Sequence, residues 1–130
     1  MKTAFLDREL SQLAFNRRVM AQAEDATIPV LERLRYLCIV SSNLDEFFEV
    51  RVASLLAAAS VDGDLGDHPA LAATLERVSS ECHELVKRQY EIFNTAVLPE
   101  MKAQGIHIVR HSQRNEAQRA WVKDYFDREV

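Results

Sequence analysis

The chain has 130 residues, of which 48% are hydrophobic and 28% are charged, and this composition is typical of one globular domain. Its formal net charge of −4 excludes a surface that binds nucleic acid through a general basic excess, so any anion-binding site must be a local patch. No run of the sequence approaches the roughly 20 apolar residues that a membrane span requires, and residues 1–6 lack the apolar run of a signal peptide; we expect a cytoplasmic protein.

Apolar residues recur every three to four positions and predict helices along almost the whole chain. The first helix is expected over residues 9–23. The second is expected to begin at Thr27, with Pro29 in its first turn, where the missing N–H of proline does no harm. It is expected to continue to about residue 60, with a bend at residues 41–43, because Ser and Asn side chains compete with helical hydrogen bonds.

The third helix is expected over residues 69–103, packed antiparallel to the second helix. Pro99 predicts a kink in this helix, or its end just before the proline, since an interior proline removes a hydrogen bond. Gly105 is placed to form the C-cap, and residues 106–109 are expected to form a short extended segment. The two glycines within residues 62–67 predict the turn that precedes the third helix.

A last helix is expected to begin near Asn115. Its apolar pattern continues to Val130 without a capping signal, so we expect this chain to be part of a longer protein. The predicted fold is all-α, with about four helices. We expect residues 1–104 to form a helical N-terminal domain and residues 105–130 to begin the domain that follows.

The two cysteines, Cys38 and Cys82, lie within helical patterns and have apolar neighbours. A metal or redox site would need a close pair such as Cys-x-x-Cys, which the sequence lacks. We therefore expect both cysteines to be reduced packing residues that are buried in the core.

The most informative polar pattern lies in residues 31–53, where Ser41, Ser42 and Asn43 interrupt a helical stripe. An asparagine side chain carries two donor hydrogens and an acceptor, and it therefore suits the edge of a nucleobase. The alternative is structural: Asn43 caps the second half of a bent helix, and Glu46 three residues later completes a capping box. The pattern alone leaves both interpretations open.

Charged side chains in the same window allow further interpretations. Asp45, Glu46 and Glu49 are acidic, but a di-metal site in a helical bundle needs carboxylates from several helices and a Glu-x-x-His step, which the sequence lacks. We therefore expect no metal ligand in this chain. The arginines of the window are candidates for phosphate contacts or for ion pairs along a helix, such as one between Glu32 and Arg35. They are Arg33, Arg35 and Arg51.

Three stretches carry a more specific signal: RELSQLAFNRRV at residues 8–19, IPVLERLRYL at 28–37 and SSNLDEFFEVRVA at 41–53. They resemble the N-terminal domain of the long-chain, multi-domain polyphosphate kinases, whose patterns are close to RELSWLAFNxRVL and SxNLDEFxxVRVA. The resemblance is dense across these stretches, and residues 54–130 match in layout only. One departure is Gln12, where the family has a tryptophan, and a glutamine there weakens any contact that the tryptophan makes with another domain.

The resemblance implies an enzyme that reversibly transfers the terminal phosphate of ATP to polyphosphate. It implies that Asn43 contacts the adenine, with Ser42 and Arg51 as supporting residues. In the family, the phosphorylated histidine and the bound magnesium belong to later, phospholipase-D-like domains, so we expect no catalytic residue here and no catalysis by the isolated chain. The implied partners are ATP, polyphosphate, the remaining domains of the same chain and a second copy in a homodimer. Peripheral association with a membrane is compatible with this interpretation.

The alternative from another class is a helical interaction or dimerisation module that contacts no nucleotide. The two interpretations differ in the surface around Ser42 and Asn43. An open surface there favours nucleotide binding, whereas burial of that face against the third helix favours the module.

Overall fold

The computed structural model describes the backbone of residues 2–62 and 69–130, and the side chains of residues 8–57 and 69–130. It is all-α, which confirms the predicted fold class, and the described residues form no strand. The turn predicted at residues 62–67 lies outside the described residues except for its first position. The α-helices are α1 (Lys2–Glu24), α2 (Val30–Glu46), α3 (Ala53–Asp62), α4 (Pro69–Ile92), α5 (Leu98–Ala103) and α6 (Glu116–Glu129).

Two π-helical segments and one 3-10 turn complete the described secondary structure. The first π segment, Phe47–Val52, joins α2 to α3, and the second, Phe93–Val97, joins α4 to α5. The 3-10 turn His111–Gln113 precedes α6. The chain therefore forms two long, nearly continuous helical rods from residue 30 to 62 and from 69 to 103.

Helix α1 is the central element, because it packs against both α2 and α4. Its contacts with α4 run in the same direction along both helices: Arg17 pairs with Glu81, and Glu24 pairs with Arg88. Helices α1 and α4 are therefore parallel.

Helix α2 runs in the opposite direction to α1. Asn43 near its end contacts Asn16 in the middle of α1, whereas Arg33 near its start contacts the carbonyl of Ala23 near the end of α1. Helix α2 is consequently antiparallel to α4 as well, which confirms the predicted antiparallel pair. Gln89 on α4 joins that pair directly by donating to the carbonyl of Leu37 at 2.8 Å.

The core lies between one face of each of these three helices and also includes residues of the two π segments and of α5. Burial of each large apolar side chain contributes about 1.5–3 kcal/mol, so this core accounts for much of the packing energy. Its buried apolar members are Leu13, Met20, Ala23, Val30, Leu37, Val40, Leu44, Phe47, Val78, Cys82, Leu85, Ile92, Val97 and Met101.

The two cysteines differ in their environment, and the prediction that both are buried is wrong for Cys38. Cys82 belongs to the core, and this burial raises the pKa of its thiol. Cys38 is exposed, because it follows the core residue Leu37 and points about 100° away from it around the helix. Both thiols are free, as predicted.

Helices α1 and α2 begin at different residues from those predicted. Helix α1 begins at Lys2, well before residue 9, and α2 begins at Val30 with Pro29 at its N-cap. Thr27 does not cap α2, because its backbone N–H and hydroxyl both donate to Oδ1 of Asp25, at 2.9 and 2.6 Å. These bonds form the turn between the helices and hold the pKa of Asp25 below its ordinary value.

The irregular part of the second rod differs from the predicted bend. Helix α2 continues without interruption through Ser41 and Asn43, and the π segment begins only at Phe47. The polar side chains do not disturb the helix because they bond to neighbouring helices instead of their own backbone. Ser41 Oγ accepts from Gln89 Nε2 at 2.7 Å, and Asn43 bonds to α1.

The third predicted helix is interrupted just before Pro99. Pro99 lies in the first turn of α5, immediately after the second π segment, so the helix continues through a π turn. Gly105 then ends α5 with φ at +85°. The N–H groups of Gly105 and Ile106 donate to the carbonyls of Lys102 and Met101, which is a Schellman motif and confirms the predicted C-cap.

The C-terminal part of the chain has no regular secondary structure over residues 106–110 and ends in α6. Helix α6 begins next to Asn115, as predicted, and Asn115 caps it: its Oδ1 accepts from the backbone N–H of Gln118 at 2.8 Å. Gln118 Oε1 accepts in return from the backbone N–H of Asn115 at 2.9 Å, which completes a capping box. Helix α6 has no buried residue.

Candidate functional site

Asn43 lies near the end of α2 and is half-buried against α1. Its Nδ2 donates to Oδ1 of Asn16 at 2.9 Å. Asn16 is fully buried, and its own Nδ2 donates to the backbone carbonyl of Gln12 at 3.2 Å. The predicted capping role of Asn43 is therefore wrong, since Asn43 lies inside α2 and bonds to another helix rather than to Glu46.

Arg51 lies in the first π segment, and it also faces α1. Its Nη1 is 3.8 Å from Oε1 of Glu9, whose side chain is 2% exposed, whereas the side chain of Arg51 is 41% exposed. The second oxygen of Glu9, Oε2, is buried and has no hydrogen-bond partner among the described residues. A buried carboxylate with a single ion pair at this distance is incompletely compensated.

The π segment brings Asn43 and Arg51 to the same side of their helical rod. They are eight residues apart, and in a regular α-helix eight residues turn about 80° beyond two full turns. A π turn accommodates one extra residue, and the N–H of Ala53 makes its characteristic bond to the carbonyl of Phe48, five residues earlier. The two side chains can therefore both reach α1.

Their partners on α1 are spaced to match. Glu9 and Asn16 are seven residues apart, which is about two turns of an α-helix, so both lie on the face of α1 that contacts the second rod. Asn43 and Arg51 thus rest on a pair of buried polar residues from one neighbouring helix. We refer to these four residues, Glu9, Asn16, Asn43 and Arg51, as the polar quartet.

Glu9 and Asn16 were missed as site residues in the sequence analysis. The apolar spacing that predicts the first helix runs through Leu10, Leu13, Ala14, Arg17, Met20 and Ala21. Leu13 and Met20 are buried, but Arg17 and Ala21 are exposed, so the predicted stripe overlaps the buried face only in part. The buried face consists of Glu9, Leu13, Asn16, Met20 and Ala23. The available signal was that two polar residues occur at regular intervals on a face that is otherwise apolar.

The other predicted residues of the window lie outside the polar quartet. Ser42 is exposed beside Asn43. Asp45, Glu46 and Glu49 are exposed, and no group of three His, Cys, Asp or Glu side chains in the described parts of the chain could hold a metal ion.

The three arginines of the window have separate roles. Arg35 pairs with Glu32 at 3.9 Å, as predicted for residues three apart on one helix. Arg33 is 5% exposed, and its Nε donates to the carbonyl of Ala23 at 2.8 Å. Arg33 therefore satisfies the C-terminal end of α1 and is not available as a phosphate ligand, which leaves Arg51 as the arginine that lies beside Asn43.

The side chain of Asn43 bonds to α1 rather than to α4. Asn43 is half-exposed and neighbouring Ser42 is exposed, so part of the surface at these two residues is open. Two aromatic residues follow Asn43 in the sequence, Phe47 and Phe48. Phe47 is fully buried in the core, whereas Phe48, in edge-to-face contact with it, is 44% exposed.

Comparison with known proteins agrees with the motifs that form this site. Residues 5–109 match the family model described as the polyphosphate kinase N-terminal domain, and these residues include the whole polar quartet. The chain belongs to the polyphosphate kinase N-terminal domain family. Similar proteins include the polyphosphate kinase of Neisseria meningitidis serogroup B, which is 50% identical over 129 residues covering 96% of this chain.

Other members of the polyphosphate kinase family share the same extent of similarity. The polyphosphate kinase of Lactiplantibacillus plantarum is 46% identical over 97% of this chain, and that of Pseudomonas syringae pv. tomato is 45% identical over 97%. The chain spans 18% of the length of the Neisseria and Lactiplantibacillus proteins. No solved structure matches the chain. None of the helices in the described residues is long and apolar enough to cross a membrane.

Proposed function

We propose that this chain is the N-terminal domain of a polyphosphate kinase and that it forms one wall of the ATP pocket, with Asn43 contacting the adenine. The complete enzyme would reversibly transfer the terminal phosphate of ATP to polyphosphate in the cytoplasm. The observation that carries the proposal is the environment of Asn43: the residue is half-exposed, yet its Nδ2 is held by a fully buried partner, Asn16. An immobilised amide on an open surface is suited to base recognition.

The contribution of Asn43 to catalysis would be positional. Phosphoryl transfer depends mainly on alignment of the reacting groups and on stabilisation of charge. Fixing the base of ATP helps to place its terminal phosphate in line with the attacking group, and correct placement lowers the entropic part of the barrier. Magnesium and the phosphorylated histidine would belong to the later domains of the complete enzyme, as the family resemblance implies.

Arg51 and Ser42 are the proposed supporting residues. Arg51 directs Nη1 towards Glu9, and its side chain is 41% exposed, so part of the guanidinium is accessible to a ligand anion. Ser42 is exposed next to Asn43 and carries a hydroxyl that can donate or accept. Both residues belong to the stretch that resembles the family motif.

Kinetics of a chimeric enzyme would test the proposal. In the chimera, this chain replaces the matching part of the Neisseria meningitidis serogroup B polyphosphate kinase, and the KM for ATP is measured for Asn43→Ala. Loss of one or two base hydrogen bonds should raise that KM by roughly three- to tenfold, with a smaller effect on kcat. The matched control is Asn94→Ala on the exposed surface of the second π segment, and an unchanged KM in Asn43→Ala would overturn the proposal.

We further propose that residues 105–130 begin the next domain of the enzyme. Helix α6 presents a large apolar face: Trp121 and Phe126 are 63% and 60% exposed, and Trp121 stacks on Tyr125 with 5.4 Å between ring centroids. An apolar face of this kind on the described surface indicates packing against another unit. The relatives are more than five times longer than this chain, so the following domain is the proposed occupant.

The alternative function, a dimerisation module without nucleotide contact, is favoured by the same α6 face. Light scattering of the 130-residue chain at several concentrations distinguishes dimerisation through the α6 face from packing of that face against the following domain. A stable dimer that Trp121→Ser and Phe126→Ser dissociate would support the module. A monomer would support packing against the following domain instead.

A further inference from the structure

The orientation of the Asn16 carboxamide is determined by its surroundings. Asn16 is fully buried, and one end of its carboxamide lies 3.2 Å from the backbone carbonyl of Gln12. A carbonyl oxygen only accepts hydrogen bonds, so the NH2 group of Asn16 must point towards it. The other end, Oδ1, must then face Asn43, and this end also can only accept.

The orientation of Asn43 follows from that of Asn16. Its NH2 group must face Asn16 Oδ1, 2.9 Å away, because the reversed carboxamide would bring two acceptor oxygens together. No described side chain donates to Oδ1 of Asn43, and the residue is half-exposed. Asn43 therefore presents its carbonyl oxygen and its second N–H for ligand contact.

We infer that Asn16 is a positioning residue that sets the base preference of this site by preventing the carboxamide of Asn43 from flipping. The inference rests on the proposed function of Asn43. A carboxamide held with its oxygen and one N–H outward matches a base edge that offers an amino donor beside a ring-nitrogen acceptor. Adenine has such an edge. The 6-keto purines place an acceptor where adenine has its amino group, so they meet the fixed oxygen of Asn43 with another acceptor.

A carboxamide that is free to rotate would lose this discrimination. It can present either its oxygen or its NH2 group, and so it can pair with an amino or a keto substituent. The role of Asn16 is therefore distinct from simple stabilisation of the fold. Its removal should weaken the preference between bases more than it weakens the binding of ATP itself.

The experiment uses ATP and inosine triphosphate, which differ at the 6-position, as substrates of the chimeric enzyme. Two Asn16 variants form a matched pair. Asn16→Leu has a similar size but no acceptor, and it should reduce the ratio of kcat/KM for ATP over inosine triphosphate by roughly five- to tenfold. Asn16→Asp, in the neutral form that burial favours, can donate its O–H to the carbonyl of Gln12 and retains an oxygen acceptor towards Asn43, so it should keep the ratio within about twofold of the unsubstituted chimera. Equal ratios in the Leu and Asp variants would overturn the inference.

A double substitution separates this inference from the proposed function. If Asn16 acts through Asn43, Asn16→Leu should not change the ATP preference further when Asn43 is already alanine. A further change in that background would overturn the positioning role while leaving the adenine contact intact. An Asn43→Ala variant with unaltered KM would instead overturn the adenine contact itself.

A measurement on the unsubstituted 130-residue chain keeps the inference testable even if Asn16→Leu does not fold. Side-chain NH2 protons that are held in a hydrogen bond exchange slowly with water. By NMR, the Asn43 carboxamide should exchange at least several-fold more slowly than that of the exposed Asn94. Equal exchange rates would show that Asn16 does not hold Asn43 and would overturn the inference.

Discussion

Nη1 of Arg51 lies 3.8 Å from Oε1 of Glu9, and this ion pair connects the π segment to a carboxylate that is almost completely buried in α1. The two residues depend on this ion pair to different extents. Arg51 is exposed enough to be hydrated without a partner, whereas Glu9 depends on Arg51 because its second oxygen has no partner among the described residues. The main contribution of this ion pair to stability is therefore that Arg51 compensates the buried negative charge of Glu9.

Removal of Arg51 should destabilise the chain through the charge that remains. We expect Arg51→Ala to lower the free energy of unfolding by about 1–2 kcal/mol, below the 3–5 kcal/mol of a fully buried pair, because solvent screens the exposed guanidinium. In a Glu9→Gln background the same substitution should cost less than about 0.5 kcal/mol. Urea unfolding of the four variants measures both values, and equal costs in the two backgrounds would show that the pair contributes nothing.

Arg33 and Arg35 provide a matched pair for testing a buried helix cap. Arg33→Ala leaves the carbonyl of Ala23 without its 2.8 Å donor and removes a buried aliphatic stem, so we expect a loss of about 2–3 kcal/mol. Arg35→Ala removes only a 3.9 Å surface ion pair with Glu32 and should cost less than about 0.5 kcal/mol. Thermal unfolding of both variants tests the assignment, which similar melting temperatures would contradict.

The turn between α1 and α2 should make a pH-dependent contribution to stability. Hydrogen bonds from the Thr27 hydroxyl and, to a lesser extent, its backbone N–H lower the pKa of Asp25 from its ordinary value of 3.8. Because the folded pKa is the lower one, the stabilisation is complete above pH 3.8 and is lost as the pH falls through the folded value.

An NMR titration of the Asp25 carboxyl group measures this effect directly. Thr27→Ala removes the hydroxyl, which has the largest influence, and keeps the backbone donor. The pKa of Asp25 should therefore move part of the way back towards its ordinary value. A pKa that does not respond to Thr27→Ala would mean that the hydroxyl does not determine the shift.

Much of the helical architecture was predictable, because local signals determine it. The spacing of apolar residues indicated the helices, and Gly105 and Asn115 supplied caps that need no tertiary information. The start of α2 was less accessible, because Thr27 is equally suited to an N-cap and to the turn that it forms with Asp25.

The features that depend on neighbouring helices were not predictable. Ser41 and Asn43 weaken a helix on propensity alone, and their hydrogen bonds to α4 and α1 became apparent only in the packed structure. The choice of buried face on α1 was also undetermined, since Leu10 and Ala14 define a second apolar stripe beside the one that contains Asn16. The π segment that aligns Arg51 with Asn43 has no clear composition signal.

Binding of a non-hydrolysable ATP analogue to the chimeric enzyme tests the adenine contact most directly. The measurement is calorimetric, and it compares that analogue with the corresponding purine riboside triphosphate, which lacks the 6-amino group. With Asn43 present, we expect loss of the amino group to raise Kd by about three- to tenfold, as expected for one hydrogen bond. With Asn43→Ala, the two ligands should bind within about twofold of each other. An undiminished preference for the adenine analogue in Asn43→Ala would contradict the assignment of Asn43 as the adenine-contacting residue.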